Sequence, residues 1–211
     1  MSARIICIAQ QKGGAGKTTL ASNLATAYLA QGKSLALFDT DPQGSLGKWL
    51  DVREETLGED PKLQFATATA YGISRAIRKM SAVDVILIDT PPKADSDVRW
   101  VLREADLVLV PVSTSQADVW ATHDVLDLAE RAGKPRHIVM NRARAGTRVS
   151  AEVAASVAEL GVTPLQSSLA NRVIYAEALG RGLGVIEAKK SGPAADEVRA
   201  LAQEVAALLT P

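Results

Sequence analysis

The segment Arg4–Leu20, RIICIAQQKGGAGKTTL, constrains the fold more than any other part of the chain. An apolar run breaks into a glycine-rich stretch, which passes directly into a helical pattern. A strand that feeds a helix through a glycine turn belongs to a β-α unit, and the strand that follows runs parallel to the first. Four more apolar runs repeat the rhythm, at Ser34–Asp39, Asp84–Asp89, Asp106–Val112 and His137–Asn141. They are apolar almost throughout, as strands covered on both faces are. Helical patterns separate them, at Lys17–Gln31, Ile73–Met80, Asp95–Glu104, Ala117–Arg131 and Ser150–Leu160, two of them closed by Gly32 and Gly133. Leu63–Ala68 and Thr163–Leu169 read as weaker strands. Pro193–Leu209 places Val198, Leu201, Ala202, Val205 and Leu208 on one helical face. The expected fold class is α/β: a single domain over residues 1–211, with a doubly wound, mostly parallel sheet and helices on both faces.

Composition narrows what such a fold can do. Lys and Arg total 24 and Asp and Glu total 24, so no global field draws the chain to nucleic acid or membrane, and such binding needs a local patch. Cys7 is the one cysteine, which rules out an internal disulfide and a CxxC metal or iron–sulfur site; its apolar setting predicts a buried thiol. The N-terminal stretch turns polar too soon for a signal core, and no apolar run reaches the ~18 residues of a membrane span. A cytoplasmic protein is expected.

In an open parallel sheet, ligands bind beyond the C-terminal strand ends. The residues to read are therefore Gln10–Thr19, Asp39–Ser45, Asp89–Lys93, Ser113–Gln116 and Asn141–Arg144. In the first of these, Gly13, Gly14, Ala15 and Gly16 let backbone N–H groups turn toward phosphate oxygens at a helix N-terminus. Lys17 would neutralise the β- and γ-phosphates of a nucleotide, Thr18 would ligate Mg²⁺, and Thr19 would reach the α-phosphate. The standard pattern GxxxxGKS/T asks for Gly at position 11, where this chain has Gln11. It also carries a second lysine, Lys12, placed to meet the γ-phosphate of its own nucleotide or that of a second protomer.

QKGGAGKTT resembles the deviant Walker A motif, KGGxGKS/T, of the ParA/MinD family of dimerising P-loop ATPases. The resemblance spans essentially the whole chain from Arg4. It implies an ATP-bound homodimer in which Lys12 contacts the partner's nucleotide, with ATP or ADP and Mg²⁺ as ligands. LALFDTDPQGS (Leu35–Ser45) is similar to the family's second motif, implying that Asp41 aims the attacking water and that Asp39 supports Mg²⁺ through its water shell. DVILIDTPPK (Asp84–Lys93) is similar to a Walker B strand, implying that Asp89 is a further metal-site carboxylate. The family's counterpart of Asn141 reads the adenine edge, and the loop Leu169–Arg172 would complete that pocket. Catalysis would rest on Lys12, Lys17 and Asp41.

The resemblance also separates branches. MinD-like members end in a basic amphipathic membrane segment, whereas the last helix here carries Asp196, Glu197 and Glu204 against Arg199. Nitrogenase-reductase relatives need cysteines beyond Cys7. With the first strand at Arg4, the expectation is a small ParA type that segregates plasmid or chromosomal DNA, or positions a large protein cargo, over the nucleoid. That role implies non-specific DNA binding and a ParB-like or cargo-adaptor protein that stimulates slow hydrolysis. Arg142, Arg144, Arg148, Arg172, Lys189 and Lys190 are the candidate basic residues. The alternatives are a MinD-like membrane regulator and an ATP-dependent metabolic enzyme on the same fold.

Overall fold

In the computed structural model of the protein, residues 3–80, 82–92, 98–144 and 148–210 are described. Seven strands form one sheet in which every neighbouring pair is parallel. They are β1 (Arg4–Ile8), β2 (Leu35–Asp39), β3 (Leu63–Thr67), β4 (Val85–Asp89), β5 (Leu107–Val112), β6 (Arg136–Ala143) and β7 (Leu169–Ala170), in the order β3-β2-β4-β1-β5-β6-β7. The five strongly apolar runs are the five inner strands, and the two weaker candidates lie at the edges. At Thr163–Leu169 the expected strand shrinks to a bridge from Pro164 to Ile138 and the pair Leu169–Ala170. Glu204 is the reason: its carboxylate accepts the backbone N–H groups of Gln166 and Ser167, both at 2.8 Å, which takes them from the strand ladder.

The helices are α1 (Lys17–Ala30), α2 (Ser45–Leu57), α3 (Ile73–Lys79), α4 (Val98–Glu104), α5 (Gln116–Arg131), α6 (Arg148–Ala158), α7 (Val173–Gly180), α8 (Val185–Ala188) and α9 (Pro193–Leu208). The expected start of the fourth helix at Asp95, together with Lys93, lies outside the described residues. Alternation along the strands builds two cores. Ile6, Ile8, Leu35, Leu37 and Leu87 pack beneath α1, α2, α7, α8 and α9. Cys7, Phe38, Ile86, Ile88 and Val108 pack beneath α3 to α6. Cys7 is fully buried, and burial pushes its thiol pKa far up. On α9 the apolar face is buried through Val198, Leu201, Ala202 and Val205, while Leu208 stays exposed.

Register positions the site. Asp39 pairs with Asp89, and Asp89 with Ile8, so β1, β2 and β4 end at one level. The glycine loop, both aspartates and the start of α1 therefore share one rim.

Candidate functional site

The loop from Gln10 to Lys17 is shaped by two glycines in left-handed backbone, Gly14 (φ 77°) and Gly16 (φ 92°). Gly16 is also held by space, since a Cβ there would lie 2.1 Å from Asn141 Nδ2. Asn141 Nδ2 donates to the Ala15 carbonyl at 2.8 Å, and its Oδ1 accepts from the Arg142 N–H at 2.9 Å. The residue expected at the adenine edge thus also braces the loop. The first turn of α1 has no side-chain cap and no acidic residue, so its N–H groups face the rim with nothing to offset the positive helix end. An anion fits there. Lys17 is buried, and its Nζ donates to the Gln10 carbonyl at 3.2 Å. Burial lowers its pKa, while Asp89 and Asp41 pull the other way.

Thr18 and Asp89 meet as the Walker pattern implies: Thr18 Oγ1 donates to Asp89 Oδ2 at 2.7 Å. Asp89 Oδ1 is buried without a hydrogen-bond partner. Burial raises the Asp89 pKa to about 7; the Thr18 hydrogen bond and Lys17 oppose the rise, and Asp39 and Asp41 add to it. A buried carboxylate oxygen without a donor, beside a threonine hydroxyl, is the donor set a hard divalent cation takes, and the residues fit Mg²⁺. Asp39 has a second duty. Its Oδ2 accepts from Leu46 and Gly47 N–H at 3.0 and 3.1 Å, and its Oδ1 from Asp41 N–H at 3.0 Å. It caps α2 from the end of β2, leaving lone-pair capacity on Oδ1. Asp41 is half-buried at the lip, its Oδ1 bound to Gln43 N–H at 2.9 Å. Thr19 adjoins on the first turn of α1, where its carbonyl accepts from Asn23 Nδ2 at 2.8 Å.

Lys12 is turned toward α5. Its Nζ forms an ion pair with Asp118 Oδ1 and donates to Ser115 Oγ at 3.3 Å. Asp118 is fully buried, and its other oxygen accepts from the N–H of Ser113 at 3.0 Å and from the Ser113 hydroxyl. Burial alone would raise its pKa, but the bonds from Lys12 and Ser113 hold it below the usual carboxylate range. Gln10 ties the same elements together. Its Nε2 donates to Thr122 Oγ1 (2.9 Å) and to the Pro111 carbonyl (3.2 Å), and its Oε1 accepts the Gln11 N–H (2.8 Å). Sequence reading placed Gln10 and Ser113 on the rim without giving them a role, and it missed Asp118 and Thr122. An acid in a helix first turn reads as a dipole match, and nothing local announces a lysine from a loop more than one hundred residues earlier.

Beside Asn141, Ser113, Thr114, Arg142, Arg144 and Asn171 line an open cleft of about 340 Å³. The late loop expected near the base does reach the rim, through Asn171. Arg142 is the one non-glycine residue with left-handed backbone among the described residues (φ 51°).

Residues 6–186 match the family model described as the CobQ/CobB/MinD/ParA nucleotide binding domain. Maintenance of carboxysome distribution protein A of Halothiobacillus neapolitanus is 28% identical over 207 residues, covering 95% of each chain. The chromosome-partitioning ATPase Soj of Thermus thermophilus is 33% identical, covering 97% of this chain and 96% of its own. Among solved structures, the cell division ATPase MinD of Pyrococcus furiosus superposes with a TM-score of 0.81 at 21% identity, over 98% of this chain and 99% of its own. An ATP complex of a Cyanothece McdA variant superposes with 0.78 at 18% identity, over 98% of each. With its deviant loop, two rim aspartates and paired Thr18 and Asp89 on this sheet, the chain belongs to the CobQ/CobB/MinD/ParA nucleotide-binding family and is a ParA-type member of it.

Proposed function

We propose that the protein is a slow ATPase that dimerises on ATP and positions DNA or a large protein cargo over the nucleoid. Hydrolysis is stimulated by a ParB-like or adaptor partner. The observation that carries this reading is the second lysine. Lys12 is not needed to hold a nucleotide in its own loop, and its present partner, Asp118, is an anion it can exchange for a phosphate. Its side chain is 38% exposed, so it can swing outward without repacking the core. Lys17 exchanges the Gln10 carbonyl for the β- and γ-phosphates, and the backbone of Gly13–Gly16 and Thr18–Thr19 surrounds them. Thr18 and Asp89 would hold Mg²⁺, with Asp39 as a supporting carboxylate; the ion would supply positive charge against the phosphate oxygens. Asp41, at the lip, orients the attacking water. Asn141 serves the base edge with the amide hydrogen its loop contact leaves over.

The MinD-like alternative needs an amphipathic membrane segment, and α9 does not offer one. Among the described residues no helix is long and apolar enough to cross a membrane. The apolar face of α9 is spent on the core, where Tyr28 OH donates to the Ala202 carbonyl at 3.4 Å.

Light scattering with ATP and with ADP tests the reading. The parent should dimerise on ATP alone. Lys17→Ala should lose nucleotide, each charge-assisted phosphate contact being worth about 1.5–3 kcal/mol. Lys12→Ala should bind nucleotide and stay monomeric. Asp41→Ala should form a dimer that persists. Asp118→Asn, which removes the competing charge, should dimerise at lower protein concentration. Parent-like dimerisation of Lys12→Ala would end the cross-interface role. Rapid turnover in the parent, indifferent to any partner, would favour a metabolic enzyme.

A further inference from the structure

Two of the basic residues singled out in the sequence are already neutralised. Arg148 Nε lies 2.8 Å from Glu152, and Arg172 NH2 lies 2.8 Å from Glu197. A different surface is not. On α3, Arg75, Arg78 and Lys79 stand at i, i+3 and i+4 and are all exposed, while Ile73 faces the core. On α4, Arg99, Trp100 and Arg103 are exposed, while Val98, Val101 and Leu102 face the core. The two helices are neighbours: Ser74 Oγ donates to Glu104 at 2.5 Å, and the Tyr71 ring meets Trp100 edge-on at 5.5 Å. Their outward faces form one surface with five cations and two exposed rings. None of the seven ion pairs formed among the described residues involves any of the five cations. Arg103 instead lies over Trp100, 5.1 Å from the ring centre.

In a chain of zero net charge, unpaired like charges repel, and grouping them is unfavourable until an anion sits opposite. Spaced cations on two adjacent helices match the repeated charges of a phosphate backbone. Tyr71 is 77% exposed and Trp100 is 39% exposed, giving flat apolar area between the charges that sugar and base edges can cover.

We infer that the outer surface of α3 and α4, with Tyr71, is the duplex DNA-binding face of this protein, through sequence-independent contacts of Arg75, Arg78, Lys79, Arg99 and Arg103 to backbone phosphates. This rests on the nucleoid reading above and supplies its surface. α4 is the first helix after the Asp89 strand end, so the face lies next in the chain to the carboxylate beside the phosphate loop.

The test measures binding of two unrelated fluorescent duplexes by the ATP-loaded protein across a salt series. The parent should bind both equally. Arg75→Ala/Arg78→Ala/Arg99→Ala should weaken both by about tenfold or more and flatten the log–log salt slope by roughly 0.9 per lost phosphate contact. Arg148→Ala, which removes a charge already paired with Glu152, should leave binding unchanged. Light scattering with ATP should show that the triple variant still dimerises and is therefore folded. A parent that dimerises but binds neither duplex sinks the nucleoid reading and this face with it. A parent that binds and a triple variant that binds equally well sink the face alone. Preference of the parent for poly-glutamate over duplex would reassign the surface to an acidic protein and overturn the proposal.

Discussion

Among the described residues, two ion pairs join parts of the chain more than 100 residues apart, and they are built for opposite purposes. At the back of the molecule, Arg53 on α2 meets Glu187 on α8 through two parallel contacts of 2.7 Å. Arg53 also donates to the Gly182 carbonyl at 3.3 Å and lies 5.4 Å over the Trp49 ring, and Glu187 accepts the Gly184 N–H at 2.9 Å. The arginine side chain is only 6% exposed. At the rim, Lys12 meets Asp118 through a single ammonium that stays 38% exposed. The first pair has a planar fork and three further supports, so neither member can leave without orphaning the other. The second pairs a fully held anion with a mobile cation. A pair meant to last is bidentate with its cation buried; a pair meant to be exchanged leaves its cation at the solvent.

The largest effect should come from breaking the lasting pair. Arg53→Met leaves the Glu187 carboxylate without its counter-charge and should cost about 3–5 kcal/mol. For a chain of this size that lowers the midpoint of thermal unfolding by on the order of 10 °C, read by circular dichroism. A loss no greater than that of Lys12→Ala would contradict the contrast.

The packing behind that pair should be nearly as sensitive. A Cβ on Gly184 would lie 1.8 Å from Thr26 Oγ1 and 2.8 Å from its Cγ2. Gly184→Ala should cost about 1–3 kcal/mol by overpacking. Adding Thr26→Ala removes both of those atoms and should restore part of the loss, although the residue 26 Cβ stays close. Denaturant titration of the single and double variants reads this, and simple additivity would show that the contact is not the cause.

At the rim, Lys12→Ala should cost about 1–3 kcal/mol in the nucleotide-free protein, because the buried Asp118 Oδ1 loses its counter-charge, while water can enter from the side the half-exposed ammonium leaves and Ser113 still serves the other oxygen. Urea unfolding without nucleotide measures it.

The smallest effect sharpens the comparison with a third, intermediate pair. Burial would raise the Glu197 pKa, but hydrogen bonds from Arg172, Tyr175 (2.7 Å) and the Ala170 N–H (3.1 Å) hold it below the ordinary range. An acid with a lowered folded-state pKa stabilises above its unfolded value and loses that contribution as pH falls through its folded one. Glu197→Gln should therefore lower stability at neutral pH by no more than about 1 kcal/mol and less in acid. Equal losses at neutral and acid pH would mean that charge is not what Glu197 contributes.

Much of this molecule is written locally. The five inner strands are apolar runs because both faces of the sheet are covered, and a run of that kind is visible without knowing what covers it. The phosphate loop is legible for the same reason: left-handed backbone at Gly14 and Gly16 and the turn into α1 are properties of a dozen consecutive residues. Helix α2 was not legible. Gly44 precedes it, no side chain of its own caps it, and its N–H groups are satisfied by Asp39 from the preceding strand end. Helices α7 and α8 escaped likewise, because their ends are fixed by Arg53, Asn23 and Thr26 across the core.

The sequence alone determined the fold class and the rim on which Lys12, Lys17, Thr18, Asp39, Asp41 and Asp89 stand. Each sits at the end of an apolar run or in a motif of contiguous residues, where short-range spacing carries the information. Only the tertiary structure decided that Lys12 rests on Asp118, that Gln10 joins the loop to α5, that Asp39 caps a helix, and that five cations outside the ion pairs of the described residues share the outer face of α3 and α4. Those facts depend on which side chains and backbone groups the strand order and helix packing bring face to face, on which the spacing of residues along the sequence is silent.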